Sequence, residues 1–286
     1  MNYIDLHVHT NRSDGTLTPS EVISNALEIG LSAIAITDHD TVEGIAEAKQ
    51  YLKANKKESE LEIIPGVEIS ADYHGRDIHI LGLYIDEMNK QLNDKLAKAI
   101  ADRDTRNEKM AALLRADGID IHIKDLTFGE PNTVITRAHF ARYLTEHGYV
   151  KNNADAFTKY LASNTKYYVP RSYMTPKDAI DIIIDAGGIP ILAHPLLYNL
   201  NLAGVEELVS YVKSLGMVGI ETIHSSNTGF DEGIIRRFAN KYKLLMTGGS
   251  DFHGTNKPNI QLGIGRGNLK IPETLLLDLK KYAYNL

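Results

Sequence analysis

The run Ile4-Asp5-Leu6-His7-Val8-His9-Thr10, near the start of a 286-residue chain, decides how the rest is read. Its apolar opening has strand character, and in an extended segment residues two apart point the same way. His7 and His9 can therefore present both imidazoles to one ion. Six more runs of strand character follow: Ala33 to Ile36, Leu61 to Ile64 continuing through Val67, Ile78 to Leu83, Ile189 to Ala193, Val218 to Ile220 and Leu244 to Thr247. Each carries His, Asp or Glu at or near its exit. The second runs into Thr37-Asp38-His39-Asp40, the third into Gly66-Val67-Glu68, and the fourth contains His79. The fifth ends in Ala193-His194-Pro195, the sixth in Glu221-Thr222-Ile223-His224, and the seventh in Gly249-Ser250-Asp251-Phe252-His253-Gly254.

Between the runs lie segments of helical spacing. Pro19 to Leu27 has Thr18 as a cap and Pro19 at the first helical position. Val42 to Leu52, Pro176 to Ala186 opened by Thr175, Val205 to Leu215, and Asp231 to Tyr242 follow. Strands alternating with helices of this length predict a parallel sheet with helical crossovers, and in parallel α/β barrels the active site gathers where the strands end. The alternation lapses between Asp86 and Arg171. There Leu92, Leu96, Ala99 and Ile100 form one helical stripe, and Met110, Leu113 and Leu114 another; Thr136 to His147 and Ala154 to Ala162 read as two further helices. The predicted organisation is a barrel made of 1–85 and 172–286, with 86–171 as a helical insertion domain that caps the substrate.

Composition narrows the chemistry. Eleven histidines accompany no cysteine, so disulfides, thiolate zinc sites, iron–sulfur clusters and cysteine nucleophiles are excluded and any metal must be held by histidine and carboxylate. Such donors suit Mn²⁺, Zn²⁺ or Fe²⁺. About nine candidate donors exceed what one ion takes, which implies more than one. A formal net charge of −6 argues against a nonspecific grip on duplex nucleic acid. With no apolar run near the ~20 residues of a membrane span, and Asp5 close to Met1, neither membrane association nor a signal peptide is expected, and the expected location is the cytoplasm.

The motifs Asp5-Leu6-His7-Val8-His9-Thr10, Ser13-Asp14-Gly15, Thr37-Asp38-His39-Asp40, Gly66-Val67-Glu68, Ala193-His194-Pro195 and Ser250-Asp251-Phe252-His253-Gly254 together resemble the polymerase-and-histidinol-phosphatase (PHP) superfamily. The resemblance implies an α/β fold, a distorted (β/α)₇ TIM-like barrel with a helical insertion. It also implies three divalent ions per chain, with Mn²⁺ ahead of Zn²⁺ and Fe²⁺. One would be held by His7, His9, Glu68 and Asp251, a second by Glu68, His79 and His194, and a third by Asp14, His39 and His253. Within the superfamily the chain is most similar to the branch acting on nucleoside 3′,5′-bisphosphates and the 5′ ends of short RNA. Arg137-Ala138-His139-Phe140-Ala141-Arg142-Tyr143-Leu144, Tyr168-Val169-Pro170 and Phe252 to Pro258 fit that branch. One departure stands out: after Ala-His-Pro the family pattern runs Gly-Arg-Tyr, whereas this chain has Leu196-Leu197-Tyr198.

Clustered divalent ions suit phosphate-ester hydrolysis, because they acidify water and neutralise charge in an in-line transition state. The expected enzyme is a metal-dependent phosphoesterase that cleaves a phosphate monoester of a small nucleotide, or acts on short oligoribonucleotides, by attack of a metal-bridging hydroxide without a protein nucleophile. Arg137, His139, Arg171 and His224 are the expected substrate contacts, arginine offering a planar fork for phosphate oxygens. For Arg171 the competing role is an ion pair with an acid of the barrel rim, and for His224 a hydrogen bond there. Asp5, Asp38 and Asp40 are expected to orient ligands rather than bind metal. His74, His122 and His147 read as ordinary surface residues, and Gly263 to Gly267 as turn. The alternative functions are a histidinol-phosphate phosphatase, or a noncatalytic metal-binding PHP module.

Overall fold

The computed structural model describes residues 2–171 and 174–283; residues 1, 172, 173 and 284–286, which the ranges predicted for the barrel take in, lie outside the described residues. Among the described residues, seven strands lie side by side in chain order: β1 (Ile4–Val8), β2 (Ala33–Ile36), β3 (Glu62–Tyr73), β4 (Arg76–Leu83), β5 (Ile189–Leu192), β6 (Gly219–His224) and β7 (Leu245–Gly249). The end of β7 returns to β1. The Asp251 N–H donates to the His7 carbonyl at 2.9 Å and the His9 N–H to the Phe252 carbonyl at 3.0 Å, so the sheet is a nearly closed barrel. The seam is tight: a Cβ on Gly249 would stand 2.2 Å from the Cβ of His7, and only glycine fits there.

The sheet is not wholly parallel, which corrects the expectation from strand–helix alternation. β4 runs antiparallel to both β3 and β5, while β1–β2–β3 and β5–β6–β7 pair in parallel. The cause is the connection. Tyr73 pairs with Arg76, leaving only His74 and Gly75 as the turn, both with positive φ (52° and 77°), as a hairpin turn of the I′ type requires. A parallel return needs a crossover of a dozen or more residues. Reversal has a functional effect, for it places His79, near the start of β4, at the end of the barrel where its neighbours finish.

Helices cover the outside. α1 (Pro19–Glu28) opens with the predicted cap, Thr18 accepting from the Glu21 N–H and Glu21 reaching back to Thr18. α2 (Glu43–Ala54) follows β2. The long α3 (Lys90–Ala116), α4 (Arg137–Glu146), the short α5 (Asn153–Ala156) and a π-helical turn (Phe157–Leu161) lie between β4 and β5, and α6 (Pro176–Asp185), capped by Thr175, leads into β5. α7 (Leu202–Ser214) and α8 (Gly229–Tyr242) complete the crossovers, and α9 (Thr274–Ala283), which has no counterpart among the predicted helices, follows β7.

Apolar burial falls into three clusters. One joins the outer strand faces to α1, α2, α6, α7 and α8. A second fills the inner face with Ile4, Leu6, Ala35, Leu81 and Ile191, and Leu276 and Leu279 of α9 join it. The third belongs to the helical segment alone: Met110, Ala111 and Leu114 of α3 pack with Phe140, Leu144 and Leu161. α3 divides between them, since its earlier residues Leu92, Leu96 and Ala99 belong to the barrel's outer cluster. Among the described residues no helix is long and apolar enough to cross a membrane.

Candidate metal centre

Val67, Ile69, Ile78 and Ile80 all face the outer cluster, so the alternation of a strand turns Glu68 and His79 inward. Glu68 is buried and sits at the middle of the site. Its two oxygens lie 3.3 Å from His7 Nε2, 3.2 Å from His9 Nε2, 3.1 Å from His39 Nδ1, 2.9 Å from His79 Nδ1 and 3.0 Å from His194 Nε2. Five imidazoles thus surround one carboxylate. The sixth, His253, lies 3.2 Å from Asp14 and 3.4 Å from Asp251, and Asp251 in turn approaches His9 at 3.5 Å and His7 at 3.8 Å. His39 Nε2 stands 3.6 Å from Asp14. All nine donors expected from the sequence are therefore brought together. Ligand atoms of His9, Asp14, His39 and His253, of His7, Glu68 and His194, of His7, His9 and Asp251, and of His39, Glu68 and His79 lie within 4.8 Å of one another in each group.

Backbone and polar neighbours fix these donors. His194 and Asp251, just past β5 and β7, hold positive φ of 23° and 57°, as does Asp40 past β2 at 54°; non-glycine residues bear such strain chiefly where surrounding structure demands it. His7 donates from Nδ1 to Glu221 at 3.0 Å, which leaves Nε2 as the atom facing Glu68. The second Glu221 oxygen accepts the His194 backbone N–H at 2.8 Å. Asp38 accepts from Thr10 N–H, Thr10 hydroxyl and Ser13 hydroxyl at 2.6–2.7 Å and so holds the loop that carries Asp14. Asp5 accepts from the N–H groups of Ser250 and Gly263, both at 2.8 Å. Tyr198 accepts the His79 N–H at 2.9 Å and donates to the Ala193 carbonyl at 2.7 Å, tying β4 to the end of β5.

The charge balance of the cluster shows what it lacks. Burial disfavours charge on Glu68, yet His79, His39 and His7 hold its carboxyl well below the usual range. Burial likewise opposes a charged His79, but Glu68 and Asp77 push it up to about 10. His39 is driven by burial down to about 3, and burial lowers His194 and His253 too. For Asp251, burial is outweighed by Lys257 and His253, Lys257 Nζ lying 2.6 Å from its Oδ2. The carboxylates thus draw protons and an ammonium group into a buried space. His7 Nε2, His9 Nε2 and His39 Nδ1 are buried there without a hydrogen-bond partner. Buried carboxylates with unpartnered imidazole nitrogens are the donor set of divalent transition metals, and the residues fit such ions.

The four expected substrate contacts are placed differently from one another. Beside the cluster lies a cavity of about 440 Å³, within the ~300–1,000 Å³ of small-molecule sites. Arg137 lines it, held 3.3 Å from Asp77 and with its guanidinium 5.7 Å from the centre of the Tyr168 ring. The other three do not line it. His139 is buried, accepts the Thr136 N–H at Nδ1 to complete the cap of α4, and is lowered by burial to about 4. Arg171 is engaged by Asp40 at 3.1 Å and Asp102 at 3.3 Å, the rim ion pair weighed against substrate binding. His224 accepts the Ser226 N–H at Nδ1 and donates from Nε2 to Asp251 at 3.3 Å. His74 and His122 are exposed, and Gly263 to Gly267 is turn, as read.

Sequence reasoning passed over several groups. Glu221 shares a strand end with His224, and the histidine drew the assignment. Lys257 reaches Asp251 from six residues on. Arg103, from α3, pairs with Asp40 at 2.5 Å and donates to Ser70 at 3.1 Å, while Arg106 is buried with two guanidinium nitrogens unpartnered, its pKa lowered to about 9 by burial, Arg103 and Arg137. Arg103 and Arg106 lie in no quoted motif, the partners of Glu221 and Arg103 are distant in sequence, and Lys257, although within the Phe252 to Pro258 stretch, has no signal that names Asp251 as its partner.

A barrel whose strand ends converge on one carboxylate, ringed by imidazoles and opening into a cavity with cationic walls, defines a metal-dependent phosphoesterase. The chain belongs to the PHP domain family, which it matches over residues 5–246. A 5′-3′ exoribonuclease from Haemophilus influenzae is 37% identical over 252 residues, covering 87% of this chain and 89% of the relative. A 3′,5′-nucleoside bisphosphate phosphatase from Chromobacterium violaceum is 33% identical over 264 residues, covering 92% and 91%. Among solved structures, a Bifidobacterium adolescentis protein assigned as a metal-dependent phosphoesterase superposes with a TM-score of 0.85 at 29% identity, covering 97% of this chain and 95% of the other.

Proposed function

We propose that this protein hydrolyses a phosphate monoester of a small nucleotide, with nucleoside 3′,5′-bisphosphates as its preferred substrates and the 5′ ends of short RNA as a second class. The observation that carries the reading is the Glu68 hub, with five imidazoles at 2.9–3.3 Å, opening into a cavity that Arg137 and Lys257 also line. The names of the Chromobacterium and Haemophilus relatives support the two substrate classes.

His7, His9, Asp14, His39, Glu68, His79, His194, Asp251 and His253 would hold three divalent ions, Mn²⁺ before Zn²⁺ or Fe²⁺. When bound, such ions supply hydroxide near neutral pH and offset the negative charge of a phosphoryl group. The protein's own side chains do the rest. Glu221 fixes the ring of His7, so that Nε2 and not Nδ1 faces inward. Asp77 aims Arg137, whose fork suits phosphate oxygens. Lys257 brings a second positive charge to the same cavity. His139, Arg171 and His224 act as positioning groups, through the α4 cap, the Asp40 pair and Asp251. Leu197, at the arginine position of the family pattern, lines the cavity without charge; its cationic lining is Arg137, Lys257 and Arg103, the last already paired with Asp40. The helical segment 86–171 caps the site by bringing Arg137, Ala154 and Phe157 over it. The cytoplasm is the compartment that fits a nucleotide substrate and a chain without cysteine.

Turnover of adenosine 3′,5′-bisphosphate, 5′-phosphorylated RNA oligomers and histidinol phosphate, each with added Mn²⁺, tests the reading. The bisphosphate should show the highest kcat/KM. Faster turnover of histidinol phosphate would replace the substrate class, and inactivity on all three with Mn²⁺, Zn²⁺ and Fe²⁺ would leave a noncatalytic metal-binding module.

A further inference from the structure

The cavity has a polar floor and an apolar wall. His39, Glu68, His79 and His194 form part of the floor, whereas Phe157 and Leu197 lie along the wall and are 37% and 45% exposed. Large apolar groups left open inside a cavity cost free energy unless a ligand covers them. The two residues come from different parts of the chain, Phe157 from the helical segment and Leu197 from the barrel. Leu197 ends the short turn Pro195–Leu197 that begins directly after His194, and Phe157 opens the π-helical turn over the cavity. That turn is closed by the Ala162 N–H donating to the Phe157 carbonyl at 2.8 Å, and its far end is held by Arg137, which donates to the Leu161 carbonyl at 3.5 Å. π-turns of this sort occur frequently at functional sites. Leu161, at the other end of the turn, is fully buried in the helical cluster, so the turn is anchored on one side while Phe157 stays open to the cavity.

We propose that Phe157 and Leu197 form a wall on which the nucleobase of the substrate rests, selecting nucleotides over other phosphate esters while reading no particular base. The proposal rests on the nucleotide reading above and names what recognises the nucleoside. Commitment to a base follows from continuity: the apolar wall adjoins the phosphate-binding floor within one cavity of about 440 Å³. Indifference to which base follows from the polar groups nearby. Asn153 accepts from the Thr145 hydroxyl at 3.0 Å and donates to the Asn256 carbonyl at 3.3 Å, and Asn256 donates to the Asp14 carbonyl at 2.8 Å. What is offered to the base is then a ring face, and stacking is tolerant because every base has a π-face.

Steady-state kinetics of the full chain with Mn²⁺ test this, comparing the four nucleoside 3′,5′-bisphosphates with the abasic ribose bisphosphate. Wild type should favour the nucleosides over the abasic ester by roughly tenfold or more in kcat/KM, chiefly through KM, with the four bases within about threefold of one another. Phe157→Ala should bring the base-to-abasic ratio towards one, and Phe157→Tyr should keep it. An unchanged ratio in Phe157→Ala, or a wild type without preference for a base, overturns the proposal. A spread among the bases of a hundredfold would overturn the indifference. If Phe157→Ala does not fold, Leu197→Ser asks the same question from the other side. Failure of the nucleotide reading is seen separately, as absence of turnover on every ester by wild type; calorimetric binding of adenosine 3′,5′-bisphosphate and the abasic ester to metal-free wild type and variant then scores the wall without catalysis.

Discussion

Glu68 shows why single side chains matter so much in this site. A buried carboxylate within 3.3 Å of five imidazoles depends on how those rings are turned, and outer partners fix part of that arrangement. Glu221 is such a partner. Glu221→Gln keeps the volume and an acceptor for the His194 N–H, but removes the anion opposite His7 Nδ1. Loss of an outer partner of this kind costs about 10–100-fold in metal affinity or activity. The variant should therefore lose metal to a chelator at concentrations that leave wild type loaded, measured by elemental analysis after dialysis, with an unchanged circular dichroism spectrum. Equal retention would deny Glu221 its role. The nine donors were legible because strand-end His, Asp and Glu residues pointed to a centre and the resemblance to the PHP superfamily picked the set out, Asp14 in the loop after β1 included. Glu221 was not, since an acid inside an apolar strand reads the same whether it meets a solvent face or a histidine 214 residues away.

At the level of elements, periodicity located all seven strands but could not give the direction of β4. Two-residue alternation is the same in parallel and antiparallel sheets; only the turn His74-Gly75 decides, and it lies in a stretch where Asp72, Tyr73 and Arg76 have no hairpin signature of their own. α9 was equally silent, its leucines lying some twenty-five residues past the end of β7 with no further strand after them among the described residues. The packing of α1 against α2 supplies a pH-dependent prediction. Glu47 of α2 accepts from the Ser20 hydroxyl at 2.7 Å and from Arg12 at 2.8 Å. Burial would raise its carboxyl, but Ser20 and Arg12 hold it below the ordinary value. A folded-state pKa depressed in this way contributes stability that is present above the unfolded value, near ~4.3, and is lost as pH falls through the folded one. Glu47→Gln should thus lower the thermal midpoint at pH 7 by roughly 1–3 °C, given a partly exposed pair worth about 1 kcal/mol or less, and the gap should close below about pH 4. A gap of constant size from pH 7 to pH 3 would show that the ionised carboxylate is not what joins the helices.

For the molecule as a whole, the donors come from six of the seven strands or the loops after them: β1, the loops after β1, β2, β5 and β7, and the β3–β4 pair. Ions bound there would join segments that otherwise meet through the sheet and a few side-chain hydrogen bonds. Their removal should lower the thermal midpoint by roughly 5–10 °C, the size expected when a ligand present at about 100 times its Kd is withdrawn from a domain of this length. Scanning calorimetry of chelated and Mn²⁺-reloaded protein measures it, and identical midpoints would mean that the donors do not depend on the ions for their arrangement. The helical segment from α3 to the π-turn has its own apolar cluster and should respond less. The tight turn between β3 and β4 sets an order of events during synthesis. Glu68 and His79 stand eleven residues apart and meet through local pairing, which forms early. His7 and His9 meet Asp251 and His253 only across the β1–β7 seam, when the two ends of the barrel come together. A ribosome that has made two hundred residues has already delivered seven of the nine donors, yet neither Asp251 nor the strand that closes on His7 exists. The centre is thus withheld until the chain has passed His253, and a chain terminated earlier, although rich in histidine, lacks both the closing strand and its two donors.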